Sequence, residues 1–424
     1  MKHAVKIIIA LIIAIAAYVL VENPVEARDP ILDEVKPFHK MDFGFNLGFF
    51  NDVPIETPAL KTLKEDGLDH IMFYEPWSAN KTNEEIVSYI NELVKKGFTV
   101  EVSLSNFPKE KGAKFKDYYK EHGKKTSPMP KGKLKRSYKF SNRFPPSDYQ
   151  AYKDTLKHLL NLVKAKGIEK KVSFEIGSEP NANLYFWGDA DDFRKYYNTV
   201  RPILKKAGFD MTCCGYSTGY FGHPRERANA MHKDFDKFIK RDGITQSYSM
   251  YLTTWGTRKT NLGTFTPNYT KNSVISAYGT YAKLNDKTDK KMVARNKELD
   301  AGSYMTQTLK MIKFSYKNKV KRAYLWKLLD VPKKRGTAGY FKVGGVAKPR
   351  YQQWKTIHNV INEGFYVVQN DSKVHIVGKT STMIFAKKES IAQFDPKRKV
   401  VKSYQYDATS RQLEKNGWIV VSHK

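Results

Sequence analysis

Two cysteines in 424 residues, adjacent at Cys213 and Cys214, leave no material for a disulfide framework or a zinc site. A vicinal bridge between them is geometrically open; otherwise they read as two small buried hydrophobes. Acidic side chains are also scarce, with 43 Asp and Glu against 74 Lys and Arg and a net charge of +31. That surplus calls for a polyanionic partner: an anionic polysaccharide, an envelope polymer, a membrane surface or nucleic acid. A membrane span needs about 20 apolar residues, and the only candidate falls short of that. Ile7 to Val21 is too short and follows Lys2, His3 and Lys6. Val25-Glu26-Ala27 offers the small alternating residues of a signal-peptidase site, so residues 1–27 are expected to be a signal peptide, cleaved before Arg28, or else an N-terminal anchor. Lys2 and Lys6 are balanced there by Glu22 and Glu26, so the mature chain keeps the whole surplus. Export sets nucleic acid aside and favours an anionic glycan, with secretion, a periplasmic site or envelope association to follow. The chain also lacks a glycine-rich first turn, a P-loop, a histidine cluster and a Ser-His-Asp arrangement. No metal and no cofactor are expected.

What is present is a repeating pattern of apolar run, polar loop and amphipathic stretch. Strands are predicted at 41–49, 68–77, 98–107, 172–177, 211–219, 244–254, 290–296 and 322–330. Helical stripes separate them. Thr82 and Glu85 form a capping box before Ile86, Ile90, Leu93 and Val94, and Lys348-Pro349 opens the last helix, which carries Tyr351, Trp354 and Ile357. Eight strands each trailed by a helix predict an α/β fold, a (β/α)8 TIM barrel over residues 40–362. From 364 to 424 short alternating runs predict a small antiparallel β domain, taken here as an accessory sandwich.

In such a barrel the working residues stand at the C-terminal ends of the strands. Those positions hold Asn46, Glu75 with Trp77, Ser105 with Asn106, Glu179 with Asn181, Tyr216, Tyr251, Glu298 and Trp326. Pro180 biases Glu179 away from the helical region and ends strand four there. Trp187, close behind, is a flat surface on which a sugar ring could stack. Amides and aromatics bind hydroxyls and ring faces, while two carboxylates supply the acid and the nucleophile or base for glycosidic cleavage. Glu175, four residues before Glu179, reads as a barrel-interior carboxylate. Between Lys109 and Lys139, twelve Lys or Arg face three acids. This basic insertion after strand three is expected on the catalytic face, against an acidic polysaccharide.

These motifs resemble those of clan A glycoside hydrolases, nearest to the family of β-xylosidases, α-iduronidases and exopolysaccharide endoglycosidases. Ser178-Glu179-Pro180-Asn181 matches the Asn-Glu-Pro motif ending strand four, with Ser178 in place of Asn. Ser247-Tyr248-Ser249-Met250-Tyr251 is similar to a Ser-x-His-x-Tyr pattern on strand six, with Ser249 in place of His. Trp326 matches the strand-eight tryptophan, and Lys348-Pro349-Arg350-Tyr351 the segment that follows. The resemblance implies a retaining hydrolase with Glu179 as general acid/base. At strand seven it implies Glu298 as nucleophile, in Lys297-Glu298-Leu299-Asp300; a shorter register aligns Ala294 and leaves no nucleophile. Of the substrate-binding candidates it supports Tyr251 and Trp326, and the strand-end reading adds Asn46, Glu75, Asn106, Asn181 and Trp187. The alternative is a catalytically inactive relative that binds envelope or matrix glycan.

Overall fold

A computed structural model describes residues within 39–104, 145–217, 237–251, 273–279, 311–330, 339–386, 404–406 and 418–423, with short gaps inside these ranges. They fall into two compact units, one of Lys40–Asn362 and one that joins His39 to the chain from Glu363 on.

The first unit is a closed barrel of eight strands. In order these are β1 Asp42–Phe49, β2 His70–Tyr74, β3 Thr99–Ser103, β4 Val172–Ile176, β5 Met211–Ser217, β6 Thr245–Tyr251, β7 Val274–Gly279 and β8 Arg322–Trp326. All pairings are parallel, and β1 closes the ring by pairing Asp42 to Asn46 with Arg322 to Trp326 on β8. Because every strand points the same way, the ends of β3, β4, β6 and β7 share one mouth.

Helices cover the outside: α1 Pro58–Glu65, α2 Asn83–Lys95, α3 Tyr149–Ala165, α4 Ala190–Ala207 and α5 Pro349–Ile361. Their apolar residues recur every three or four positions and are buried, as with Leu156, Leu159, Leu160 and Val163 on α3. Each such leucine contributes about 1.5–3 kcal/mol by leaving water. The starts are fixed chemically. Thr82 and Glu85 exchange both bonds of a capping box at α2, and Asp189 and Asp192 do the same at α4. Tyr152 and Tyr196 pair their hydroxyls at 2.9 Å between α3 and α4, and Tyr196 donates onward to the Leu104 carbonyl beyond β3.

Two expectations change. Strand seven is Val274–Gly279, not 290–296. It is a short run in which Ser273, Ser276, Ala277 and Tyr278 are all buried, so no polar-apolar alternation marks it. Cys213 and Cys214, within β5, are joined by a vicinal disulfide and are not free thiols.

The second unit is a five-stranded antiparallel sheet in the order β12-β13-β11-β10-β9. Its strands are β9 Phe365–Asn370, β10 Lys373–Gly378, β11 Ser381–Ala386, β12 Tyr404–Tyr406 and β13 Trp418–His423. Among the described residues it forms one sheet, where a two-sheet sandwich is expected from the sequence.

Candidate active site

Strand β4 delivers the central residue. After Ile176 the chain passes through Gly177 at φ +83 and Ser178 to Glu179, whose own φ is +46. A non-glycine residue in that left-handed region is uncommon and marks a site where the surroundings over-determine the backbone. The Glu179 N–H donates to the carbonyl of Gly215 on β5 at 3.1 Å. Its side chain is buried at 3 % exposure. Burial pushes the Glu179 carboxyl up to about 8, and the nearby Ser249 hydroxyl on β6 offsets part of that rise. The group therefore holds a proton at neutral pH, as a general acid must.

Beneath it lies a second carboxyl. Glu175 is fully buried; Ser103 on β3 donates to its Oε2 at 2.8 Å and Ser247 on β6 to its Oε1 at 2.6 Å. Burial again dominates, helped by the negative Glu101, and raises Glu175 to about 8 against the hydrogen bonds of Ser247, Ser103 and Ser276. Glu101 on β3 sits in different company, accepting from Thr212 and Tyr324 at 2.8 Å each, with Arg322 3.6 Å away.

The alternation of β6 explains this placement. Ser247 and Ser249 reach the lumen, whereas Tyr248 points the other way, donating to Gln246 at 2.5 Å and packing on Tyr216 with ring centres 6.0 Å apart. A register shift in the β5–β6 ladder lies between Cys213 and Tyr216. Past it, Tyr216 packs with Tyr248 on the side of β6 away from Ser247 and Ser249. Gly215, Ser103 and Ser276 are site residues that sequence reasoning does not single out, and Ser247 enters it only as the first position of the strand-six motif; the inward alternation of β3 and β6 is the signal that points to Ser103 and Ser247.

The remaining strand-end residues take different places. Asn46 on β1 is fully buried, its amide donating to the Ser276 carbonyl at 3.1 Å while its oxygen accepts the Gly48 N–H at 2.8 Å. Trp326 ends β8 with its ring 5.7 Å from Tyr74 and is 8 % exposed. It belongs to an apolar lumen cluster with Met72, Tyr74, Val274, Ala277 and Tyr324. Lys327, next in sequence, is paired to Asp52 at 2.9 Å. Trp77 is buried, with its indole N–H donated to Asn83 at 2.9 Å, so it packs the frame. Asn181 is buried two residues beyond Glu179. Tyr251 ends β6, its backbone in register with Gly279. Glu75, Asn106, Trp187 and Glu298 lie outside the described residues, as does the basic insertion 109–139. Strand β7 reads Val-Ile-Ser-Ala-Tyr-Gly and contributes no acid of its own.

Several glycoside hydrolases of known structure share this barrel fold. A monomeric β-xylosidase from Caulobacter crescentus CB15 matches at TM-score 0.56 and 13% identity, over 89% of this chain and 76% of that one. A GH30 endoxylanase from Clostridium papyrosolvens C71 matches at TM-score 0.47 and 11% identity, over 82% and 80%. A GH5_18 protein from Streptomyces cattleya, in complex with Manb1-4GlcNAc, matches at 0.49 and 12%, over 76% and 80%. At such identities the likeness is one of fold. No protein-family model and no curated protein sequence matches the chain.

Proposed function

We propose that this protein is a glycoside hydrolase in which Glu179 protonates the leaving glycosidic oxygen. The observation that carries the reading is a buried, proton-holding carboxyl at the mouth end of β4, locked in left-handed backbone beside Ser249. The second carboxylate in this reading is Glu298, which follows β7 in sequence and does not end it, because that strand is Val274–Gly279 and not 290–296. We assign a retaining mechanism, in which Glu298 attacks the anomeric carbon and Glu179 then activates water. That assignment requires the two carboxyls about 5–5.5 Å apart, and a gap of about 6.5–9.5 Å means inversion.

The substrate in this reading is an acidic polysaccharide outside the cell. Support comes from the +31 net charge, from the basic insertion that follows β3 in sequence, and from the signal peptide expected at residues 1–27. An electrostatic grip weakens with salt, so kcat/KM on an anionic polysaccharide should fall steeply between low and high ionic strength. A flat response overturns the anionic assignment.

A second reading is a glycan-binding protein without hydrolysis, favoured by the acid-free β7 and by Ser178 where the resemblance expects Asn. Reducing-sugar release from a panel of acidic polysaccharides separates the two. Release by wild type that is lost in Glu179→Gln and in Glu298→Gln supports the hydrolase. Binding without release, unchanged by either substitution, supports the binder.

A further inference from the structure

We propose that Glu175 is a positioning residue for Glu179, holding the Gly215 peptide through Ser247 at the place from which its carbonyl fixes the Glu179 backbone. The inference rests on the reading of Glu179 as the acid and adds a residue that acts on it from the barrel interior.

Three hydrogen bonds run in series. Ser247 donates to Glu175 Oε1 at 2.6 Å and accepts the Gly215 N–H at 2.8 Å. The Gly215 carbonyl then accepts the Glu179 N–H at 3.1 Å. At the near end, Ser103 pins the other Glu175 oxygen at 2.8 Å, so the carboxyl cannot swing. The same carboxyl also lies against the Gly215 Cα. A Cβ built there would stand 3.0 Å from Glu175 Oε1 and 3.2 Å from both Cδ and Oε2, and the residue has φ +61. Only glycine combines that backbone with that contact.

The position of Gly215 makes the clamp informative. It lies where the β5–β6 pairing slips register, so the regular ladder does not dictate how its peptide is turned. The bond from Ser247 supplies the missing constraint, and Glu175 orients Ser247. Glu179 needs that constraint, because its φ of +46 persists only where neighbours impose it. A carboxyl that merely filled the lumen would leave Glu179 unaffected by the loss of Ser247.

The test uses full-length Ser247→Ala, Glu175→Ala and Glu175→Gln, with folding checked by circular dichroism. Titration of Glu179 is followed by NMR of protein carrying carboxyl-13C glutamate, its resonance assigned with Glu179→Gln. This readout does not depend on hydrolysis, so absence of sugar release by wild type defeats the proposed activity while the titration still judges the positioning role. Ser247→Ala should move the Glu179 midpoint by more than one pH unit. It should lower kcat roughly 100-fold, the cost of a misplacement of about 1 Å, with KM within threefold. Glu175→Gln, which keeps the acceptor for Ser247, should restore both to near wild type where Glu175→Ala does not. A Ser247→Ala protein whose Glu179 midpoint and kcat stay within twofold of wild type overturns the proposal. So does a Glu175→Gln protein as impaired as Glu175→Ala, because the proton rather than the placement would then matter. If Glu175→Ala does not fold, Ser247→Ala and Glu175→Gln decide the matter alone.

Discussion

Tyr324 on β8 donates its hydroxyl to Glu101 on β3 at 2.8 Å, a hydrogen bond that crosses the barrel lumen between strands that are not neighbours. Thr212 on β5 takes the other carboxyl oxygen at 2.8 Å, and Arg322 stands 3.6 Å off as the nearby cation. One buried carboxylate thus braces three separated staves. Its demands are met, in contrast to Glu175, whose partners are hydroxyls alone.

Tyr324→Phe removes one donor from that buried acceptor and keeps the ring. The expected loss is about 1–3 kcal/mol of stability, the cost of stranding a buried polar partner. Chemical denaturation of wild type and variant, compared at the same pH, measures it.

Stability should also depend on pH in a defined direction. Glu175 and Glu179 both rise from an ordinary 4.5 to about 8 in the folded barrel. Between those values the folded chain keeps protons that the unfolded chain has released, so stability is fully present below about pH 4.5 and declines as pH climbs through 8. Glu179→Gln removes its share of the decline and should be the more stable protein at pH 8, by on the order of a few kcal/mol. Thermal midpoints of wild type, Glu179→Gln and Glu175→Gln from pH 4 to 9 check this; parallel curves for all three contradict it.

In the proposed mechanism the proton on Glu179 sets the upper pH limit of activity. The high-pH limb of kcat/KM should fall near 8, where the acid ionises. Ser249 favours the ionised form, so Ser249→Ala should shift that limb to higher pH. A limb that stays put, or moves down, removes Ser249 from contact with the acid.

The bridge between Cys213 and Cys214 predicts a simple chemical count. Thiol titration of the unfolded, unreduced protein should find none, and the same protein after reduction should show both. Two thiols before reduction would return the pair to the role of small buried hydrophobes.

The barrel was legible because periodicity and punctuation agree along most of the chain. The capping box at Thr82 and Glu85 and Lys348-Pro349 opening α5 each appear in the structure where the local chemistry puts them. Glu179 was legible through Pro180 and the abrupt end of an alternating run. Strand seven was not. Val274 to Tyr278 are buried on both faces, with Ser276 as buried as its apolar neighbours, so neither alternation nor a flanking acid distinguishes the run from loop. The more polar 290–296 run attracts attention only because Glu298 follows it. Ser103, Ser247 and Gly215 were hidden for another reason: their roles arise from strand pairing and from a slip in register, which no single segment encodes.

Trp326 and Tyr74 on one side and Glu179 with Ser249 on the other give the cup a greasy wall and a wet wall. In the proposed hydrolase a pyranose entering between these walls would meet a built-in sidedness, since its C–H face suits the rings and its exocyclic oxygens suit the hydroxyl-rich arc from β3 to β6. On that reading the staves themselves, ahead of any surrounding loop, favour one way round for the sugar.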